Sequence, residues 1–366
     1  MRAAVLRSFG RLDYADVEDP ACGPADVVID VRCVQPSVTE VMLIDGDDVA
    51  MHGVLATRIA AGPVQFGGHE FAGVITAAGN GVTGVKVGDR VTAVETLPCG
   101  ACGPCSRGRC DYCTGPSVVG FTRPGAFAER LAVPGSAVVK LPDGVSFSSA
   151  AAVQPLAGAV HAHADLHVAP GETMLVIGGG VMGLLAVAVA RHGNAGMIAV
   201  STRSQRKREL AREFGADVTI DAGQDVAAIA RDITGGVGFD TVVETAGGSE
   251  TAGLAGTATV DIAVDAVRRG GRIAIVSVLA SRAELPTGRM REKGLKLFHP
   301  RSGAGFYAAT TSVFEHSLGL VSRGSVDLEK LVTHRLDGLE SLTEALAITR
   351  DKPRYGAINP AQVTLA

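Results

Sequence analysis

Four cysteines in this chain have the spacing of a metal site. Cys99, Cys102, Cys105 and Cys113 follow the pattern C-x2-C-x2-C-x7-C. Thiolates at such intervals wrap a short loop around one tetrahedral Zn²⁺, with each sulfur about 2.3 Å from the metal. The glycines and prolines between them allow the tight turns that this loop needs. We therefore predict one structural zinc ion in a lobe near residues 95–115.

A glycine-rich turn marks a second site. Gly178-x-Gly180-x-x-Gly183 lies between an apolar run and a helical stretch that begins with Val181 and Met182. The first glycine allows a tight turn, the second lets the backbone approach a pyrophosphate, and the third permits close packing of helix on strand. The helix N-terminus adds partial positive charge for the phosphates. These five residues are predicted to bind a dinucleotide.

The end of the next strand indicates which dinucleotide binds. NAD sites carry an acid there, which binds the ribose 2′-hydroxyl. In this chain Thr202 takes that place, and Arg203, Ser204 and Lys207 follow. Hydroxyls and a planar guanidinium suit a phosphate dianion. We predict NADP(H), with a solvated basic helix start as the alternative.

The bulk composition limits the partners. The 366 residues are 46% hydrophobic and 20% charged, with a net charge of −4. This balance suits a globular chain of two domains and gives no reason to expect nucleic acid or a membrane as partner. No apolar signal core and no 18-residue apolar stretch is present. Together with cysteines bunched at metal spacing, this predicts a cytoplasmic protein that acts on a small molecule.

The order of the elements predicts an α/β fold. Residues 1 to about 150 read as short strands and turns, whereas from about 170 a strand, a glycine turn and a helix alternate. We predict a β-rich domain of residues 1–152 and 303–366, and a Rossmann cofactor-binding domain of residues 153–302. The elements predicted for the second domain are strands at 174–177, 197–201, 240–244 and 272–276 and a helix at 181–192.

These residues together resemble the medium-chain dehydrogenase/reductase superfamily, in its zinc-containing alcohol, threonine and sorbitol dehydrogenase branch. The likeness runs nearly end to end. It implies a chaperonin-10-like β-rich catalytic domain, an active site in a cleft beside the Rossmann domain, and a homodimer or homotetramer. Its marks are the cysteine lobe, the cofactor loop and the segments Gly67-Gly68-His69-Glu70-Phe71-Ala72-Gly73, Val87-Gly88-Asp89-Arg90-Val91 and Gly125-Ala126-Phe127-Ala128-Glu129.

The same resemblance implies further cofactor contacts. Thr245 and Ala246 belong to a segment similar to the loop beside the nicotinamide ribose. Val276 and Val278 are expected to line the nicotinamide pocket.

The chain departs from the family at the catalytic zinc. In this branch the metal is held by a cysteine, the histidine of Gly-His-Glu and a third protein ligand, and the adjacent glutamate can exchange onto it. His69 and Glu70 are present, but Ser37 stands in the place of the cysteine and Gln154 in the place of a glutamate before Pro-Leu. A neutral hydroxyl and a neutral amide are poor ligands for Zn²⁺. We predict that the catalytic zinc is absent.

Without that metal, the hydride acceptor has to be activated in another way. We predict an NADPH-dependent reductase of an activated C=C, C=N or C=O group. Thr39 is expected to donate to a substrate oxygen, and His69 to act as general acid with Glu70 orienting it. Ser37 and Gln154 are expected to bind the substrate, or else to hydrogen-bond with His69 and one another. The alternatives are a zinc-dependent alcohol or polyol dehydrogenase with unusual ligands, and a catalytically silent NADPH-binding protein.

Overall fold

The computed structural model describes residues 1–248, 255–280, 282–301, 305–308 and 311–366. Its contacts divide the chain into two compact units, Met1–Gln154 with Gly303–Ala366, and Pro155–Ser302. In the described part of the chain, no helix is long and apolar enough to span a bilayer.

The first unit is built on a seven-stranded sheet. Its central strand, Asp26–Gln35, pairs antiparallel with Glu70–Ala78 on one side and with Gln362–Thr364 on the other. The remaining strands of this sheet are Val138–Lys140, Arg90–Ala93, Arg130–Pro134 and Arg335–Asp337. A smaller sheet contains Arg11–Asp16, Arg2–Ser8 and Val64–Gln65, and two further sheets of two strands each pair Thr96–Leu97 with Ser117–Val118 and Phe306–Ala308 with Thr311–Ser312.

The strands and helices of the first unit share a hydrophobic core. Alternating apolar residues of the strands face an interior that includes the fully buried Phe66, Phe71 and Phe127. The helices are Val38–Asp45, His52–Ala61, Gly103–Ser106, Phe147–Ala151, Val313–Ser322, Leu342–Arg350 and Lys352–Tyr355, and Val153–Asp165 runs on into the second unit.

The second unit is a six-stranded sheet in which every pair of neighbouring strands is parallel. The strand order is Val218–Asp221, Met197–Thr202, Thr173–Ile177, Phe239–Glu244, Val267–Ile275 and Lys296–Phe298. This is the doubly wound order of dinucleotide-binding folds, and it confirms the predicted α/β class. The helices are Val181–His192, Gln205–Glu213, Val226–Ile233, Ala258–Ala266 and Thr287–Lys293.

Several predicted elements agree closely with the observed ones, and one differs. The helix at 181–192 is confirmed at both ends. The strand predicted at 272–276 is instead Val267–Ile275, because the parallel pairing starts before Gly270 and Gly271. Val276 therefore lies just beyond the strand.

Candidate active site

The segment that replaces the zinc-binding cysteine is a helix cap. Ser37 precedes helix Val38–Asp45, and its Oγ accepts a hydrogen bond from the backbone N of Glu40 at 3.1 Å. In return, Glu40 Oε2 accepts from the backbone N of Ser37 at 2.8 Å. This reciprocal pair is a capping box, which fixes the start of a helix. The Ser37 hydroxyl is thus already engaged by its own helix.

Two glycines turn the backbone toward Glu40. Gly67 and Gly68 have φ angles of 88° and 83°, a region that disfavours other residues. A Cβ on Gly68 would lie 2.3 Å from the backbone N of Phe127, so no side chain fits there. The turn directs the backbone N–H groups of Gly68 and His69 to Glu40 Oε1, at 2.6 and 3.2 Å.

The ring of His69 is held by the same carboxylate. Its Nδ1 lies 2.8 Å from Glu40 Oε1, and its ring centroid lies 5.0 Å from that of Phe121. Because Glu40 already accepts from three backbone N–H groups, it acts as an acceptor, and Nδ1 carries the proton. The orienting acid is therefore Glu40 and not Glu70, which we expected in this role. Glu70 Oε1 lies 3.6 Å from His69 Nε2.

Burial and charge shift the pKa values of both side chains. Burial disfavours the charged imidazole, but the carboxylates of Glu40, Glu70 and Glu95 outweigh it and raise the pKa of His69 to about 9. Burial raises the pKa of Glu70 to about 7, although His69 and a hydrogen bond from Gln35 oppose this rise. These shifts favour a protonated His69 ring at neutral pH, beside a Glu70 carboxyl whose pKa lies well above its ordinary value.

Gln154 and Thr39 have different surroundings. Gln154 Nε2 donates to Glu95 Oε1 at 3.3 Å. Glu95 is 3% exposed, and its Oε2 has no hydrogen-bond partner within the described residues. One interpretation of the sequence was that Ser37, Gln154 and His69 hydrogen-bond to one another. Each of the three instead has another partner. The half-buried Thr39 lies on the first turn of helix Val38–Asp45.

The four cysteines of the predicted zinc lobe come together. Their Sγ atoms all lie within 4.8 Å of one another, and those of Cys102 and Cys113 are 3.9 Å apart. Four sulfurs about 2.3 Å from one zinc would have edges of about 3.8 Å. The backbone N of Cys99 donates to Cys113 Sγ at 3.2 Å, and that of Cys102 to Cys99 Sγ at 3.4 Å. These donors favour thiolates, so the cluster fits a structural zinc.

The donor set around His69 fits Zn²⁺ poorly. The Ser37 hydroxyl caps a helix, Gln154 is an amide bonded to Glu95, and the charged groups that act on His69 among the described residues are carboxylates. Among the residues described, the cysteine cluster is the one group of three or more histidine, cysteine or acidic side chains placed to hold a metal.

Two of the three glycines of the dinucleotide loop have a steric reason, and the third faces open space. A Cβ on Gly178 would lie 2.4 Å from Thr245 Oγ1, and one on Gly183 would lie 1.9 Å from the Gly178 carbonyl oxygen. Nothing lies within 4 Å of the corresponding point on Gly180, which caps the helix that Val181 and Met182 open. The loop is therefore tight on its inner side and open where the expected pyrophosphate would approach.

Cations surround the end of strand Met197–Thr202. Arg208 is tied to the carbonyl oxygens of Thr202 and Arg203, at 2.8 and 3.0 Å, and to Asp221. Ser204 caps the following helix. Arg203 is exposed, and burial together with Arg203 lowers the pKa of the half-buried Lys207. An anion at this point would relieve the repulsion between the two cations.

A buried acid organises the segment expected beside the nicotinamide. Glu244 Oε1 accepts from the backbone N of Ala246 and of Gly247, both at 2.7 Å, and Ser277 Oγ donates to Oε2. Thr245 Oγ1 donates to the Ile177 carbonyl at 2.9 Å. Val276 N donates to the Glu244 carbonyl at 2.9 Å, and Val278 is exposed.

Sequence reasoning missed three acids or amides at these sites. Glu40 could have been found, because Ser37-x-x-Glu40 is a capping-box pattern. Glu95 and Gln35 carry no local signal, since only the folded sheet brings them close to His69 and Glu70.

Known proteins resemble this chain along most of its length. The model of the alcohol dehydrogenase GroES-like domain matches residues 23–143, and that of the zinc-binding dehydrogenase matches residues 181–322. An L-threonine 3-dehydrogenase of Rhizobium etli is 30% identical over 334 residues, covering 89% of this chain and 90% of the relative.

Two solved structures share the fold throughout. A zinc-binding dehydrogenase from Sinorhizobium meliloti, bound to NADP, is 28% identical with a TM-score of 0.81, covering 100% of this chain and 98% of its own. An alcohol dehydrogenase from Thermus sp. ATN1 is 27% identical with a TM-score of 0.82, and the match covers 100% of each chain.

Proposed function

Because this chain belongs to the zinc-type medium-chain dehydrogenase/reductase family, and is an NAD(P)-dependent oxidoreductase, we propose that it is an NADPH-dependent reductase without a catalytic zinc. Its acceptor is a small molecule with an activated C=C, C=N or C=O group. The observation that carries this proposal is the contact of His69 Nδ1 with Glu40 Oε1 at 2.8 Å, which favours a protonated ring where the family's metal would otherwise polarise the substrate.

His69 supplies the proton in this proposal. Its Nδ1 is committed to Glu40, so Nε2 is the nitrogen that can donate to a substrate oxygen, nitrogen or carbon. A positioned imidazolium stabilises negative charge that develops on a carbonyl or enolate oxygen and then protonates it. Glu70, 3.6 Å from Nε2, can return a proton to the ring. Thr39 is proposed as a second donor to the substrate.

NADPH supplies the hydride when it is bound. The choice of NADPH over NADH is supported by Arg203 and Lys207, two neighbouring cationic side chains that follow the buried Thr202. The relative from Sinorhizobium meliloti was solved with NADP, which is consistent with this choice. Gly178, Gly180 and the helix that follows are proposed to hold the pyrophosphate.

A zinc-dependent alcohol or polyol dehydrogenase is the second candidate. The relative from Rhizobium etli is an L-threonine 3-dehydrogenase. Glu40, Glu70 and Glu95, whose charges raise the pKa of His69, are also carboxylates of the kind that can bind zinc. In that case, zinc would have to bind one imidazole together with carboxylates, whereas catalytic zinc sites usually have at least two nitrogen or sulfur ligands.

Metal content and turnover separate these candidates. The protein is purified without chelator or added metal, and zinc is counted in the wild type and in His69→Gln. We expect one zinc per chain in both, and NADPH oxidation with an enone, cyclic imine or activated ketone that falls about 100-fold in the variant. Two zinc ions in the wild type and one in His69→Gln would instead support the zinc-dependent dehydrogenase. NADPH binding without turnover of any acceptor would indicate a silent binding protein.

A further inference from the structure

A buried chain of amides leads away from Glu70. Gln35 Nε2 donates to Glu70 Oε2, and Gln35 Oε1 accepts from Asn359 Nδ2 at 2.8 Å and from Gln362 Nε2 at 2.9 Å. Gln35, Asn359 and Gln362 are at most 1% exposed. Each amide has one end that donates and one that accepts, so the direction of one side chain determines that of the next.

A backbone group fixes this direction at the far end. Gln362 Nε2 also donates to the carbonyl oxygen of Ser148 at 2.9 Å. A carbonyl oxygen can only accept, so a nitrogen must face it and Gln362 cannot be turned over. Its Oε1 accepts instead from Ser148 Oγ at 2.7 Å and from Cys33 Sγ at 3.6 Å. Burial raises the pKa of Cys33 to about 12, which keeps that thiol a donor.

The direction of the amide chain then passes to Glu70. The second hydrogen of Gln362 Nε2 points to Gln35 Oε1, which leaves Gln35 Nε2 for Glu70. Glu70 Oε2 must therefore accept, and a proton on this carboxyl can reside only on Oε1. That oxygen is the one that lies 3.6 Å from His69 Nε2.

A second backbone anchor acts from the opposite side. The backbone N–H groups of Ser37, Gly68 and His69 force Glu40 to accept, and Glu40 in turn requires a proton on His69 Nδ1. The two anchors leave His69 Nε2 and Glu70 Oε1 as the pair of atoms between which a proton can move. Besides Glu40 and Glu70, the charged group that acts on His69 is Glu95.

We propose that Gln35 and Gln362 are positioning residues, which confine the exchangeable proton of the site to the pair His69 Nε2 and Glu70 Oε1. The inference deepens the proposed function and rests on His69 as the proton donor. His69 Nε2 gives its proton to the substrate, Glu70 Oε1 returns one to Nε2, and the resulting Glu70 carboxylate takes its next proton from water. Gln35 stabilises that carboxylate by its hydrogen bond to Oε2.

The test uses the cofactor-free protein and reads the ring directly. The ¹⁵N shifts of His69 are followed against pH in the wild type, in Gln35→Met and in Gln362→Met. In the wild type, Nδ1 stays protonated throughout and Nε2 titrates. Either Met variant leaves Glu70 without its fixed donor, so its carboxylate becomes less stable and the His69 midpoint falls by about 1 to 2 pH units.

Ser148→Ala is the matched control. It removes the hydroxyl that donates to Gln362 but keeps the carbonyl that anchors it, so the His69 midpoint should stay within about 0.3 unit of the wild type. A His69 whose Nδ1 titrates in the wild type would overturn the proposal, even if both Met variants failed to fold. An equal shift in Ser148→Ala and Gln362→Met would also overturn it. Correct titration without reduction of any acceptor would contradict only the proposed function.

Discussion

Glu40→Gln should change the way stability depends on pH. Glu40 is fully buried, and its two oxygens accept from three backbone N–H groups and from His69 Nδ1. A glutamine has one accepting oxygen, so its NH₂ group would face either Ser37 N–H or the N–H groups of Gly68 and His69. The variant also loses the main charge that keeps His69 protonated.

The magnitude follows from the pKa of His69. A value of about 9 in the folded state, against 6.5 for an ordinary histidine, corresponds to about 3 kcal/mol. Because the folded pKa is the higher one, this contribution is complete below pH 6.5 and is lost as the pH rises through 9. The raised pKa of Glu70, about 7 against 4.5 for an ordinary glutamate, also lowers stability as the pH rises, but this loss develops between pH 4.5 and 7 and is nearly complete at pH 7.5. The window from pH 7.5 to 9 therefore reports on His69.

Urea unfolding followed by circular dichroism at several pH values provides the assay. The wild type should lose roughly 2 kcal/mol of unfolding free energy between pH 7.5 and 9, whereas Glu40→Gln should be about 3 kcal/mol less stable at pH 7 and nearly flat across that window. Asp45→Asn is the control. Asp45 lies on the same helix as Glu40, and the substitution removes its exposed ion pair with Arg350, which lies on another helix. It should cost at most about 1 kcal/mol and keep the wild-type slope. A wild-type slope in Glu40→Gln would refute the assignment of the His69 charge to Glu40.

Three further predictions concern the zinc lobe and the cofactor loop. Lys207→Ala should raise the KM for NADPH about tenfold and leave that for NADH unchanged, because only the former has a 2′-phosphate; equal effects on both would contradict the phosphate subsite. Cys99→Ser should lose the zinc and lower the Tm, whereas Cys110→Ser should keep one zinc per chain by elemental analysis. Gly183→Ala should lower the Tm by several degrees even without cofactor, since its Cβ would meet the Gly178 carbonyl at 1.9 Å, and an unchanged melting curve would argue against that close packing.

The sequence allowed prediction where a pattern is local. The bounds of helix Val181–His192 follow from a glycine turn and an apolar period. The clustering of the four cysteines follows from their spacing. The surroundings of His69 were not predictable in this way. Gln35 and Gln362 are 327 residues apart, and no pattern of residue types announces that two buried amides will meet. We compared Ser37 with the zinc-binding cysteine that the family has at this position, and so did not recognise that Ser37 and Glu40 form a helix cap.

The pairing of Gln362–Thr364 with Asp26–Gln35 has a consequence for biosynthesis. The ribosome makes the central strand of the first unit early, but its neighbour emerges only after the whole of Pro155–Ser302. The parallel sheet of that intervening unit can fold during translation, while Gln35 must wait for Gln362 before its hydrogen bonds are complete. The nascent chain thus passes through a stage in which the second unit is formed and the sheet of the first unit is still incomplete. At that stage its unpaired strand would be most exposed to aggregation, and chaperone binding would be most useful.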